Sequence, residues 1–238
     1  MSSALEKTME DTIMFDLAAA PLRELNEKLQ TLPGGTNQTA WRIANPRGAH
    51  ALAVGITTPV QVLIDGHAGY YAAGMNDGAA ITINGNAATG VAENMMSGRV
   101  HVKGDASQSA GATAHGGLLI IDGNASARCG ISMKGIDIVV KGNVGHMSAF
   151  MAQSGNLVVC GDAGDALGDS LYEARLFVKG SVKSLGADCE KKQMGAEDAA
   201  ILSDLLQRAG VAAKPEEFTL YGSARTLYHF HVDNAGAY

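Results

Sequence analysis

Ile81-Thr82-Ile83-Asn84-Gly85-Asn86-Ala87 returns as Val100-His101-Val102-Lys103-Gly104-Asp105-Ala106, and again as Leu119-Ile120-Ile121-Asp122-Gly123-Asn124-Ala125. The interval is nineteen residues, and it carries a glycine without gap or insertion through Gly66, Gly85, Gly104, Gly123, Gly142, Gly161 and Gly180. A unit this short cannot bury its own apolar face, so it must stack on copies of itself. Four residues before each glycine stand Val62, Ile81, Val100, Leu119, Ile138, Leu157 and Leu176, and two before it Ile64, Ile83, Val102, Ile121, Val140, Val159 and Val178. Side chains alternate faces along a strand, so these two columns point inward together. The residue just before the glycine, Asp65, Asn84, Lys103, Asp122, Lys141, Cys160 or Lys179, points out. Each coil therefore opens with one short strand of a parallel sheet.

After the glycine come His67, Asn86, Asp105, Asn124, Asn143, Asp162 and Ser181, types that tolerate turns and hydrogen-bond nearby backbone. The glycine itself is expected at positive φ, or in a bend too tight for a Cβ. Two small-residue columns mark narrow inner corners: Ala68, Ala87, Ala106, Ala125, Val144, Ala163 and Val182, then Ala73, Ala92, Gly111, Gly130, Ala149, Gly168 and Ala187. The reading is a right-handed parallel β-helix of seven nineteen-residue coils with short flanking α-helices. At about 4.8 Å per strand the stack is roughly 34 Å long. A left-handed helix of hexads closes its coil in about eighteen residues and would lose register by one residue per coil. The calcium-binding nonapeptide roll needs paired Gly-Gly-x-Gly-x-Asp turns, which this chain lacks.

The chain divides into 1–59, an N-terminal cap, 60–190, the β-helix, and 191–238, a C-terminal helix and aromatic tail. Residues 16–30 read as a helix with Pro21 near its first turn and Leu22, Leu25 and Leu29 on one stripe. Residues 51–56 read as a strand that starts or caps the stack, because an open end would expose strand edges. Residues 197–209 form a second amphipathic helix, with Ala200, Leu202, Leu205 and Leu206 on one side and Gly210 as its stop. Phe218, Tyr221, Tyr228 and Phe230 gather near the C-terminus and are expected to pack on the rod or a partner.

A net charge of −6 argues against nonspecific nucleic-acid binding and against an anionic membrane surface. No apolar run approaches the roughly twenty residues of a membrane span, and acidic residues stand near the N-terminus where a secretory signal is basic. A cytoplasmic location is expected.

The search for a catalytic group is uniformly negative. Cys129, Cys160 and Cys189 lie in different columns and lack the spacing of a disulfide framework or an iron–sulfur cluster. His229 and His231 share a strand face, but no third metal ligand stands at a recognisable spacing. His67, His101, His115 and His146 occupy different columns and read as surface or turn residues. Asp162, Asp165 and Asp169 cluster near one end of the rod as a pectin-cleaving pair would, although acidic residues at turns are the default. Gly66-His67-Ala68-Gly69, Gly142-Asn143-Val144-Gly145 and Gly161-Asp162-Ala163-Gly164 look like phosphate loops only if the repeat is ignored, since another coil follows where a cradle needs a helix. The expectation is a chain with no catalytic, cofactor-binding or metal-binding residue.

The units Ile83-Asn84-Gly85-Asn86-Ala87 through Met96-Ser97-Gly98, and Ala114-His115-Gly116-Gly117, resemble the GXGXG β-helix domain at the C-terminus of glutamate synthase large subunits. The likeness covers about residues 60–190 and rests on the repeat, since the literal Gly-x-Gly-x-Gly string is absent. The flanks Phe15-Asp16-Leu17, Pro21-Leu22-Arg23-Glu24-Leu25-Asn26, Gly222-Ser223-Ala224-Arg225 and Tyr228-His229-Phe230-His231-Val232-Asp233-Asn234 resemble the small GXGXG subunit of N-methylglutamate synthases. The resemblance implies two partners, a class II glutamine amidotransferase-like subunit and a flavin-binding synthase subunit holding FMN and an iron–sulfur cluster. It also implies synthesis of N-methylglutamate from methylamine and glutamate with release of ammonia. Catalytic cysteine, flavin and cluster then belong to the other chains. The GXGXG subunit of formylmethanofuran dehydrogenase is an alternative in the same fold, and a self-assembling structural β-helix is one from another class.

Overall fold

In the computed structural model, which describes residues 12–225, the repeats stack into one eleven-stranded sheet. Nine strands run parallel in chain order: β1 Ile13–Asp16, β2 Ala40–Ala44, β3 Gln61–Ile64, β4 Ala80–Ile83, β5 Arg99–Val102, β6 Leu118–Ile121, β7 Lys134–Val140, β8 Ser154–Val159 and β9 Arg175–Val178. Two more, β10 Cys189–Lys192 and β11 Thr219–Ser223, close the far end, with β11 lying antiparallel between β9 and β10. Helix α1, Leu22–Gln30, follows β1, and α2, Ala196–Ala209, follows β10.

The inward columns meet in register, Val62 on Ile81 on Val100 on Leu119 on Ile138 on Leu157 on Leu176. Every side chain in both inward columns is 2% exposed or less, so the rod is solid. The Ala68-to-Val182 column forms a second parallel ladder of single bridges, which is why it must stay small.

A side-chain ladder runs beside it. The backbone N–H of Asp105, Asn124, Asn143, Asp162 and Ser181 donates to the side-chain oxygen of the residue one coil earlier, at 2.7–3.0 Å. His67 starts the ladder, its Nδ1 accepting from the N–H of Asn86 at 2.9 Å. The repeating glycine makes room for it: a Cβ on Gly142 would lie 2.5 Å from Asn124 Oδ1 and 2.7 Å from the Gly123 carbonyl oxygen.

The bend is therefore too tight for a Cβ, as expected, but positive φ is not the reason. Of the seven glycines only Gly66 has it, at 141°. Left-handed residues sit instead in three alternating columns after the turn: one from Tyr71 to Ala166, one from Met75 to Ser170, and between them the later small column, Ala73, Ala92, Gly111, Gly130, Ala149 and Gly168, with φ between 55° and 70° in this last one. Three residues of that small column are alanines, held in a conformation that costs about 1–2 kcal/mol by backbone bonds to the neighbouring coils. Ala73 N–H, for instance, donates to Leu52 O at 2.9 Å, and Ala92 N–H to Ala72 O at 2.9 Å.

Two expectations in the N-terminal cap are corrected. Residues 51–56 are not a strand: Ala51, Ala53 and Gly55 are left-handed, and the segment is the corner side of a coil lying under residues 70–77. The apolar Leu52, Val54 and Ile56 read as one strand face, but Leu52, Ala53 and Ile56 are the residues buried, while Val54 is only half-buried. The strand of that coil is β2, with Trp41 on Val62. Nor does the first helix begin at Asp16. That residue ends β1 and turns the chain, its Oδ1 accepting from Ala18 N–H and Asn45 Nδ2, both at 2.8 Å. The residue before a proline is disfavoured from the helical region, so α1 starts only after Pro21. Its Leu25 and Leu29 plug the core, and Asn26 completes the corner beneath, donating to Ala51 O at 2.8 Å and accepting from Ala53 N–H at 3.1 Å. The second helix and its Gly210 stop, at φ 67°, stand as expected, except that Ala200 is exposed and Ala209 joins Leu202, Leu205 and Leu206 on the buried side.

Candidate functional site

The outward strand face is where this rod differs along its length. Three residues before each glycine the column reads Leu63, Thr82, His101, Ile120, Val139, Val158 and Phe177. The last four are fully buried, because Leu202, Leu205, Leu206 and Ala209 of α2 pack on them together with Phe218 and Leu220. At its start, α2 sets Glu197 and Asp198 on Arg175, the first residue of β9, at 2.9 and 3.0 Å. At its end, Arg208 lies 3.8 Å from Asp137, and its carbonyl accepts from Arg99, the first residue of β5, at 3.5 Å. The helix thus runs back along the stack from β9 to β5. Its fourteen residues rise about 21 Å, close to four strand spacings.

Beyond that end none of the described residues lies over the same face. A groove of about 520 Å³ crosses β1 to β4, its walls formed by Met14, Trp41, Arg42, Leu63, Ala80 and Thr82 among others. Met14 is 60% exposed there, and Arg42, between Met14 and Leu63 in the sheet register, bridges to Asp65.

A charged cluster stands at the boundary of the covered half. Asp122 accepts from His101 Nε2 at 2.9 Å and from Lys141 at 2.8 Å, with Lys103 at 3.6 Å. Burial pulls the His101 imidazole below its ordinary value, against the hold of Asp122. Burial opposes ionisation of Asp122, but the bonds from Lys141 and His101 outweigh it and keep its carboxyl low. A neutral imidazole bonded to an ionised carboxylate can hold a proton in place, yet the next residue in the Lys141 column is Cys160, whose thiol burial pushes up and keeps protonated. The cluster ties three coils together.

The other residues singled out from the sequence are not brought into one place. Asp162 belongs to the ladder, Asp165 is bonded to Lys183 at 2.7 Å, and Asp169 accepts from Ser170 at 2.8 Å. Hydrogen bonds lower the carboxyls of Asp162, from Ser181, and of Asp165, from Lys183, whereas a glycosidase acid needs a raised one. His67, His115 and His146 are exposed, as expected for surface residues, but His101 is not: its side chain is only 12% accessible. All three cysteines are free thiols; burial pushes Cys129 up to about 12 and Cys189 up to about 11. The amides of the Gly142 loop serve the stack, with Val144 N–H on Asp162 O at 2.9 Å and Gly145 N–H on Ala125 O at 3.1 Å, so they do not form a phosphate cradle. His229 and His231 lie outside the described residues. Among those described, no group of three or more His, Cys, Asp or Glu is placed to hold a metal, and no helix is long and apolar enough to cross a membrane.

The outward face was missed because the column three residues before each glycine went unread. Its signal was present three residues before each glycine, where Leu63, Thr82 and His101 give way to Ile120, Val139, Val158 and Phe177.

These features define a β-solenoid whose polar side chains largely bind coil to coil and whose distinctive surface is a half-covered strand face. Among known proteins, the chain is 64% identical over 226 residues to Protein GlxC of Rhizobium meliloti (strain 1021), an alignment that takes in 94% of this chain and 99% of that protein. The chain belongs to the family of that protein. No family model matches it.

Proposed function

We propose that this chain is the non-catalytic rod subunit of a glutamate synthase-like complex, and specifically of an N-methylglutamate synthase that forms N-methyl-L-glutamate from methylamine and L-glutamate and releases ammonia. The observation that carries the reading is the unbroken nineteen-residue GXGXG-like repeat, whose polar groups are engaged in stacking. The likeness to Protein GlxC over nearly the whole chain supports a shared role within that family. A class II amidotransferase-like subunit and a flavin-binding synthase subunit, the latter with FMN and an iron–sulfur cluster, supply the chemistry in this reading. The rod fixes the distance and orientation between them. Because its inward columns are packed solid, an amine passing between the two sites travels outside the rod and not through it.

The test is purification of the tagged chain from its native host, with mass spectrometry of the companions, a visible spectrum, and assays of methylamine plus glutamate against glutamine plus 2-oxoglutarate. Recovery with an amidotransferase-like chain and a yellow flavoprotein active on methylamine is the expected result. A colourless chain recovered alone or as filaments overturns it.

A further inference from the structure

We propose that Asn84 is a modification site, where attack by the Gly85 backbone nitrogen on the side-chain amide expels ammonia and leaves an aspartate or isoaspartate at the end of β4.

The reaction needs an asparagine whose following residue lets its own nitrogen reach the side-chain carbonyl carbon. A Cβ on that residue hinders the approach, and glycine has none. Asn84-Gly85 is the one Asn-Gly pair in the sequence, whereas Asn86, Asn124 and Asn143 of the turn column precede alanine or valine. The fold itself maintains the glycine. A Cβ on Gly85 would lie 2.7 Å from the Gly66 carbonyl carbon, so no larger residue fits there. Position 84 is less restricted, because its outward column also takes Asp65, Lys103 and Cys160.

Two features leave the pair reactive in the folded chain. Asn84 is exposed, one residue past Ile83, where β4 ends. The attacking nitrogen is also free. In the later coils the N–H groups of Gly104, Gly123, Gly142, Gly161 and Gly180 each donate to the carbonyl of the repeat glycine one coil earlier, at 2.9–3.1 Å. Among the described residues the Gly85 N–H makes no hydrogen bond. The coil beneath differs at this point, since Gly66 alone of the seven repeat glycines has a positive φ.

The step closes a ring within the chain, which favours it over attack from solvent. The Gly85 nitrogen gives its proton to hydroxide and bonds to Asn84 Cγ, the Cγ–Nδ2 bond breaks, and the nitrogen that leaves takes a proton from water to become ammonia. Water then opens the five-membered imide. Addition at Cγ yields an aspartyl residue; addition at the main-chain carbonyl carbon breaks the original peptide bond and routes the chain through Cβ and Cγ as isoaspartate. Asn84 Nδ2 donates to Asp65 Oδ1 at 3.2 Å, so the aspartyl product sets a carboxylate against Asp65 where a donor stood. Isoaspartate lengthens the backbone just before Gly85 and Asn86, both of which bond to the next coil, Gly85 O to Gly104 N–H and Asn86 Oδ1 to Asp105 N–H.

The experiment incubates the full chain at neutral and at mildly alkaline pH and maps its peptides by mass spectrometry, with isoaspartyl methyltransferase as the label for isoaspartate and a urea-unfolded sample alongside. In the folded chain the amide-to-acid mass gain is expected at Asn84 about tenfold or more faster than at Asn86, Asn124 or Asn143, and faster at the higher pH. Asn84→Gln keeps an amide on the surface but would have to close a larger ring, and the gain in this peptide should disappear. If the folded chain keeps Asn84 intact while the unfolded chain loses it, the fold protects the amide and the proposal is overturned. Conversion spread evenly over the asparagines, or an undiminished gain in the Asn84→Gln variant, overturns it as well.

Discussion

A methyl group added at Gly142 would press on both the side-chain ladder and the backbone of the coil beneath. Gly142→Ala is therefore expected to lower stability by about 2 kcal/mol in urea unfolding, since overpacking against fixed backbone has few ways to relax. Gly34→Ala is the control, with open space around the new Cβ and no left-handed φ; its effect should stay within about 0.5 kcal/mol. Equal effects at the two sites would contradict the ladder. Asp162 adds a pH dependence. Hydrogen bonds from the Ser181 N–H and hydroxyl hold its carboxyl below the ordinary value. Its contribution to stability is then complete above the unfolded value, about 4, and is lost as the pH falls through the folded value. Asp162→Asn keeps an acceptor oxygen, as Asn143 and Asn124 show one and two coils away, so the variant should match wild type at pH 7 and lose less stability between pH 4 and 2. Identical acid profiles would remove Asp162 from the account. At this scale the glycine and Asn/Asp columns could be read directly, because steric exclusion and turn chemistry restrict residue type. The small left-handed column could not, because alanine there is a strained choice held by neighbouring coils.

The element whose loss matters most to the outward face is α2. Leu202 is fully buried against the outward column, and Leu202→Ala should destabilise the chain by about 2–5 kcal/mol, measured by denaturant midpoint at unchanged slope. A change below about 1 kcal/mol would mean that α2 is only loosely seated. Amphipathic spacing and a glycine stop made this helix readable in advance, whereas its docking site was not, since spacing says which stripe is buried but not against what. The N-terminal cap shows the opposite limit. Apolar residues at 52, 54 and 56 fit the alternation of a strand, yet the backbone there alternates through left-handed turns fixed by coil-to-coil hydrogen bonds, which no spacing within the segment reveals.

Across the whole molecule, each coil contacts its neighbours, so stability is built from nearest-neighbour interfaces and should be lowest at the ends. Hydrogen exchange is expected to be slowest in β5 to β8, which have neighbours on both sides and, from β6 onward, a covered outer face, and fastest in β1 and β10, the two edges of the sheet. Uniform protection from β1 to β10 would show that the rod opens only as one unit. The sequence by itself determined the coil length, the inward columns and the stacking, because a constant interval with period-two alternation has few packed solutions. Only the tertiary structure decided which half of the outward face is covered, that α2 turns back along the stack, and that Trp41 and Phe15 extend the sheet past the regular repeat. Those outcomes depend on contacts between segments far apart in the chain, for which no spacing within either segment carries a signal.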